Sequence, residues 1–347
     1  MLSPEEFFDE VYRRYLLAKE STKEEHIVKL KIGNKIISLH FASIKLSSVI
    51  LPAVKHLECD FSFKSEFNIY LWDSISTGIT MIKRPWEDEA FMPKGAIKGF
   101  SNDTIKTVFQ ADRNALSLLD LKNNIAVYWV KDAEAVPYFE TGAPLLGILP
   151  QWLLVNGYIF IHGAAVGIEN YGVLIVGSGG SGKSTTVLRC LKKESFKYVA
   201  DDYCLVEMNN NLKVHSIYNS AKVDSELIDE FSFLKNTLYN SERLKKEKAL
   251  FILFPSFRNR LAKFLYVKAI LIPCISGEKV TKIISASTSD ALKALAPSTI
   301  LQIPGFGKES FFKISNLVKK VPAYSLKLGT NSDEISEVIY KFLKELT

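Results

Sequence analysis

Residues Tyr171–Asp202 read YGVLIVGSGGSGKSTTVLRCLKKESFKYVADD, and this stretch decides the fold. Val173–Val176 is an apolar run of strand length and partly β-branched character. Gly177, Ser178, Gly179, Gly180, Ser181, Gly182, Lys183 and Ser184 follow, a full match to the phosphate-binding pattern G-x-x-x-x-G-K-[ST]. The glycines let the backbone curl so that successive N–H groups face one anion. A helix starting near Gly182 and running through Thr185–Leu191 aims its positive end at the same point. Lys183 adds a mobile charge for β- and γ-phosphates, and the Ser184 hydroxyl is placed to ligate Mg²⁺. The expected cofactors are therefore ATP, or another nucleoside triphosphate, and Mg²⁺. A short strand ends at Asp201-Asp202, where a second magnesium-organising carboxylate is expected. Lys183→Ala is expected to weaken ATP use greatly and to leave the fold intact, on the reading that the loop is exposed.

Around this stretch the chain has 347 residues, enough for one large or two moderate domains. Its 47% hydrophobic and 24% charged content are those of a soluble globular protein. No apolar run reaches transmembrane length, and the acidic start MLSPEEFFDE has no signal-peptide core, so a cytoplasmic address and no membrane partner are expected. Cys59, Cys190, Cys204 and Cys274 are scattered, which argues against a zinc site or a disulfide framework. A net charge of +6 suits a nucleotide binder and is too dispersed for a nucleic-acid partner. Trp72, Trp86, Trp129 and Trp152 read as core residues, because no basic–aromatic alternation surrounds them.

The flanks suggest two domains, 1–143 and 144–347. In the first, Ser3-Pro4-Glu5-Glu6 is a helix start, and His26–Ala42 is a hairpin turning at Gly33-Asn34. Leu46–Leu57 is helix-like and broken at Pro52. Phe67–Trp72, Ala115–Leu119 and Ile125–Trp129 are strands, with an irregular stretch up to about Asp112. This is a smaller, mostly antiparallel α+β domain with no chemistry of its own, assigned by default to substrate or partner recognition. In the second, an apolar helix Leu145–Val155 leads into the strand Tyr158–Val166, a turn at Glu169-Asn170, and the strand that feeds the loop. That hairpin requires a mixed sheet, with the strand ending near Ile161 antiparallel to the one ending near Val176. Tyr203–Glu207 and Leu212–His215 are strands about the polar turn Asn209-Asn210-Asn211. Leu265–Ile275 reads as a strand buried on both faces. Ser287–Ala294 is a helix stopped by Pro297. Phe311–Lys319 is a helix, Ala323–Leu328 a strand, and Ser332–Leu346 a terminal amphipathic helix. Gly305-Phe306-Gly307-Lys308 reads as a helix-entry turn rather than a second phosphate loop.

Ile161-His162-Gly163-Ala164-Ala165-Val166, the hairpin, the phosphate loop and Ala200-Asp201-Asp202 together resemble the HPr kinase/phosphorylase superfamily, whose nucleotide domain is shared with phosphoenolpyruvate carboxykinases. The layout also resembles the HPr-kinase-related group that includes lasso-peptide precursor kinases. Tyr218–Lys222, Lys248–Phe251, Ala296–Thr299 and Val321–Tyr324 are similar to that group's pattern. The chain has no Glu followed by Arg-Gly, a run that true HPr kinases carry. The resemblance implies an α/β fold with a mixed-sheet P-loop kinase domain of the HPr kinase/PEP carboxykinase type. It implies transfer of the γ-phosphate to a hydroxyl, serine by expectation, of a peptide or protein substrate, with a homo-oligomer compatible. Asp201 would then be the general base, Asp202 would hold Mg²⁺ with Ser184, and His162 would steady Asp201 or the γ-phosphate. Lys222 and Lys248 would neutralise phosphate charge, or simply belong to a solvated basic face. Two alternatives stand beside this reading: a small-molecule or sugar kinase, and a nucleotide-gated binding module without turnover.

Overall fold

Ser3 begins the chain's first helix by a reciprocal cap: its hydroxyl accepts from the Glu6 N–H, and the Glu6 carboxylate accepts from the Ser3 N–H. The computed structural model describes residues 2–209, 211–305 and 307–346. Two compact units emerge, Met1–Trp152 and Leu153–Thr347.

The first unit contains α1 (Pro4–Thr22), β1 (His26–Ile32), β2 (Lys35–Phe41), α2 (Ile44–Ile50), β3 (Phe67–Asp73), α3 (Ser74–Thr77), β4 (Ile105–Gln110), β5 (Ala115–Asp120), β6 (Ile125–Val130) and α4 (Tyr138–Gly142). Its sheet runs β1-β2-β3-β6-β5-β4. The β2–β3 and β3–β6 pairs are parallel and the others antiparallel. Strand β4 lies in a stretch the sequence presents as irregular. The helix-like run beyond Leu46 stops at Ile50, ahead of Pro52. Helix α1 buries Phe7, Phe8, Val11 and Tyr15 against Trp72, Trp86 and Trp129, and all four tryptophans are buried. The units divide after Trp152 rather than after Ala143. Trp152 explains the position: it stacks on Phe67 at 4.5 Å, and its indole N–H donates to Asn124 Oδ1 at 2.8 Å.

A buried ion pair gives the first unit a sharp stability test. Arg113 Nη1 lies 2.6 Å from Glu140 Oε2, and the Tyr128 hydroxyl donates to Glu140 Oε1 at 3.1 Å. Burial pushes the Glu140 carboxyl above its ordinary value, against the charge of Arg113. Glu140→Ala leaves the guanidinium the more distant, exposed Asp112 carboxylate at 3.6 Å in place of its close buried partner, and is expected to cost about 3 kcal/mol in urea unfolding followed by tryptophan fluorescence. A loss below about 0.5 kcal/mol, the scale of an ordinary surface substitution, would show that Arg113 finds water instead.

After the bridging helix α5 (Leu149–Val155), the second unit holds β7 (Tyr158–His162), β8 (Ala164–Ile168), β9 (Tyr171–Ile175), α6 (Lys183–Leu191), β10 (Phe196–Ala200), β11 (Tyr203–Glu207), β12 (Lys213–His215), β13 (Ser220–Val223) and β14 (Ala249–Ile252). Then come β15 (Phe264–Ile275), β16 (Lys282–Ala286), α7 (Thr288–Gln302), α8 (Lys308–Lys320), β17 (Ala323–Leu328) and α9 (Ser332–Leu346). Of the sequence's turn residues, Asn210 and Phe306 lie outside the described residues, and Gly307 is the N-cap of α8.

The large sheet runs β10-β8-β9-β15-β12-β11-β7, with β17 beside β15 and β16 beside β17. It is mixed: β9 is antiparallel to β8 and parallel to β15. Alternation along β9 divides the core. Val173 and Ile175 face α6 and α9, whereas Leu174 and Val176 face α7 and α8. Each such fully buried side chain is worth about 1.5–3 kcal/mol, so β9 is clamped from both faces just before the loop. Among the described residues no helix is long and apolar enough to cross a membrane.

Two expectations need correction here. The strand ending near Ile161 is not the partner of the loop strand. The run breaks at Gly163, so β8 pairs with β9 while β7 pairs with β11. A Cβ at Gly163 would sit 3.0 Å from the Ile175 carbonyl oxygen, and the Gly163 N–H donates to the Asp202 carbonyl at 3.1 Å. That close approach lets the chain step from one pairing to the other. Second, α7 runs through Pro297 to Gln302. Proline removes one helical donor, but Ala291, Leu295 and Ala296 anchor the helix in the core up to the proline, and Thr299 beyond it is fully buried.

Candidate functional site

The loop between β9 and α6 has the conformation its glycines permit. Gly180 and Gly182 have φ of +75° and +97°. A Cβ on Gly182 would lie 2.8 Å from Leu328 Cδ1, whereas Gly179 and Gly180 face open space. Gly182 caps α6 without a side-chain hydrogen bond, so the helix's first donors are not taken up by a capping side chain. Ser181 Oγ is buried with no partner among the described residues. Lys183 is buried, contrary to an exposed-loop reading, and its ammonium donates to the Gly177 and Ser178 carbonyls at 2.9 Å each. Burial lowers its pKa, against the pull of Asp201 and Asp202. Thr185 Oγ1 donates to the Gly182 carbonyl at 3.0 Å.

Beside the loop, the two aspartates have different surroundings. Asp201 is buried; Ser184 Oγ donates to its Oδ1 at 2.8 Å, and the Lys222 N–H to its Oδ2 at 3.1 Å. Burial and then the charge of Asp202 push its carboxyl up to about 6. Asp202 takes a left-handed backbone, φ 70°, which aspartate tolerates better than most residues. Its side chain is 30% exposed and lies 2.6 Å from Lys222 Nζ and 3.3 Å from His162 Nε2. Burial pushes the Asp202 carboxyl up, but the charge of Lys222 and the bonds from His162 and Lys222 outweigh it and hold it well below the ordinary range. The His162 N–H donates to Thr299 Oγ1 at 3.1 Å, tying β7 to α7.

A cavity of about 510 Å³ on one flank of the loop is lined by Lys183, Ser184, Thr185, Arg189, Lys222 and Lys248, among others. A second, also about 510 Å³, meets His162, Gly177, Ser178, Gly179, Ser181 and Lys293 on the other flank. The residues singled out in the sequence thus converge. Ser184 contacts Asp201 rather than Asp202, and His162 contacts Asp202 rather than Asp201. Arg189, held by Glu230 at 2.6 Å, joins the constellation without any sequence signal, because its relevance depends on which elements become neighbours; Thr299 is marked in the sequence only as the end of the stretch Ala296–Thr299, with no role attached.

The residues fit a polyphosphate: open backbone over Gly179 and Gly180, a helix start without a side-chain cap, a buried hydroxyl without a partner, and several cations on one wall. For a metal the fit is narrower. Among the described residues no group of three or more His, Cys, Asp and Glu could hold an ion. Mg²⁺ commonly takes one or two carboxylates and fills its remaining positions with phosphate and water. Ser184 and Asp201, already in contact, suit that habit.

No protein-family model matches the chain, and no curated protein matches it. Among solved structures it is similar to the HPr(Ser) kinase/phosphatase from Coxiella burnetii, at 10% identity over 54% of this chain and 97% of that chain, with a TM-score of 0.30. That likeness is distant and says nothing of what this chain binds or acts on.

Proposed function

We propose that the chain is an ATP- and Mg²⁺-dependent kinase that transfers the γ-phosphate to a hydroxyl, by expectation a serine, of a peptide or protein. The observation that carries this reading is the Ser184–Asp201 contact at the start of α6, with Asp202 and His162 adjacent to it. Bound there, Mg-ATP supplies the phosphoryl group and the charge that makes it transferable. The loop N–H groups and Lys183 hold the phosphates, while Lys222 and Arg189 add positive charge on the same wall. Asp201, fixed by two donors, is the carboxylate that supports the metal with Ser184. Asp202, more exposed and beside His162, receives the acceptor's proton. This exchanges the roles that the sequence resemblance implies. The peptide or protein acceptor rests on that resemblance; the cytoplasmic setting rests on composition and the lack of a long apolar run, and the recognition role of the first unit on its lack of chemistry of its own.

The test is incubation of the intact chain with ATP, Mg²⁺ and serine-bearing peptides, with phosphoserine read by mass spectrometry. Transfer should vanish on chelation with EDTA. Ser184→Ala should raise the Mg²⁺ concentration for half-maximal rate by about 10–100-fold, the scale on which loss of a supporting contact weakens a metal site. An unchanged Mg²⁺ requirement in that variant would remove Ser184 from the metal site. ATP-dependent binding without transfer to any acceptor would replace the kinase with a nucleotide-gated module.

A further inference from the structure

The first unit holds a separate cavity of about 380 Å³, within the range of small-molecule sites. Its walls are mostly apolar and aromatic, contributed by Phe7, Trp86, Phe109 and Trp129. The rings brace one another: Trp86 packs edge-on to Phe7 at 5.2 Å and to Phe109 at 5.8 Å, so the wall is preformed.

A hydroxyl interrupts this wall: Ser74 Oγ accepts from the Trp129 indole N–H at 2.9 Å and keeps its own proton to donate. Charge points the same way. Arg84 and Lys131 line the cavity, and no Asp or Glu does among the described lining residues. Arg84 is held by Asp88 at 2.8 Å, which leaves Lys131, exposed beside the opening, to answer a negative head group.

We infer that this cavity binds a small apolar carboxylate, an alkyl or aryl acid whose body lies against Trp86 and Trp129 and whose carboxylate accepts from Ser74 and Lys131. Lys131 supplies positive charge, and no Asp or Glu stands among the described lining residues, so the wall selects acids over amines. Nothing in this assignment depends on the phosphate loop of the second unit.

The test is calorimetric titration of the intact chain with octanoate and 2-naphthoate, against octanamide and octylamine. The acids should bind at least about tenfold more tightly than the amide or the amine, since each charge-assisted hydrogen bond is about twice as strong as a neutral one. Ser74→Ala removes the hydroxyl donor; Lys131→Gln, at an exposed position, keeps the fold and removes the charge. Each should weaken octanoate by about three- to tenfold. Equal binding of acid, amide and amine, or unchanged octanoate affinity in both variants, would overturn the assignment. So would the absence of heat from either acid at millimolar concentration. Binding of the amide of N-acetyl-Trp-Asp with neither free acid binding would overturn the small ligand in favour of a peptide anchor.

Discussion

Asp202→Asn is expected to lower phosphate transfer about 10²–10⁴-fold, the usual contribution of a general base, while Mg-ATP affinity stays close to wild type. The asymmetry of the aspartate pair is the reason. Asp201 is buried and has both oxygens engaged, one by Ser184 and one by the Lys222 N–H. A group so fixed can support a metal but cannot easily meet an incoming hydroxyl. Asp202 has the exposed edge, and its partners are the side chains of Lys222 and His162 rather than backbone. Lys222 lines the same cavity as Lys183, so on the proposed reading a phosphate there would compete for its ammonium. If Lys222 turned towards that phosphate, Asp202 would lose the larger of the two influences, Lys222 and His162, that hold its pKa down, and its proton affinity would rise. Asparagine is well suited to the test because it tolerates the left-handed backbone at this position, so the fold should survive. Asp201→Asn should show the opposite pattern, a weakened Mg²⁺ dependence of nucleotide binding. Wild-type transfer by Asp202→Asn would refute the assignment. Loss of transfer by Asp201→Asn with intact Mg²⁺ affinity would restore the roles that the sequence resemblance implies.

The parts of this site that were legible in the sequence are those set by near neighbours. Gly177–Ser184 and the strand before it can be read because a strand, a curled loop and a helix start are local events. The paired aspartates at the end of β10 are legible for the same reason. What escaped was pairing across the chain. Tyr158–Val166 looks like one strand, and only the proximity of the Ile175 carbonyl to Gly163 shows why it must be two. Pro297 reads as a stop, because a local rule cannot weigh the core contacts that carry α7 past it. Likewise, the strand-end residues Asp201 and Asp202 look interchangeable until β13 brings the backbone of Lys222 to one and its side chain to the other. Strand β4 lacks a strong alternating pattern of its own and is held by β5, a neighbour in space that composition does not announce.

Lys183→Met is expected to reduce phosphate transfer about 10²–10³-fold, the scale for removing one donor from a preorganised anion site, with a change of about 1 kcal/mol or less in unfolding free energy. The small stability effect follows from where the ammonium rests. It donates to the Gly177 and Ser178 carbonyls, the loop's own backbone, and burial disfavours its charge. Methionine fills much of the same space and removes the buried charge, which offsets the loss of two hydrogen bonds; alanine would leave a void and confuse the readout. The catalytic effect is large for the same geometric reason. On the proposed reading, a lysine held on the loop carbonyls would need only a short swing to exchange them for phosphate oxygens. Paired measurements separate the two effects: thermal unfolding of the free chain, and ATP affinity with transfer rate in the presence of Mg²⁺. A folded Lys183→Met chain with wild-type ATP affinity and turnover would mean that the loop, whatever its shape, does not hold the phosphates.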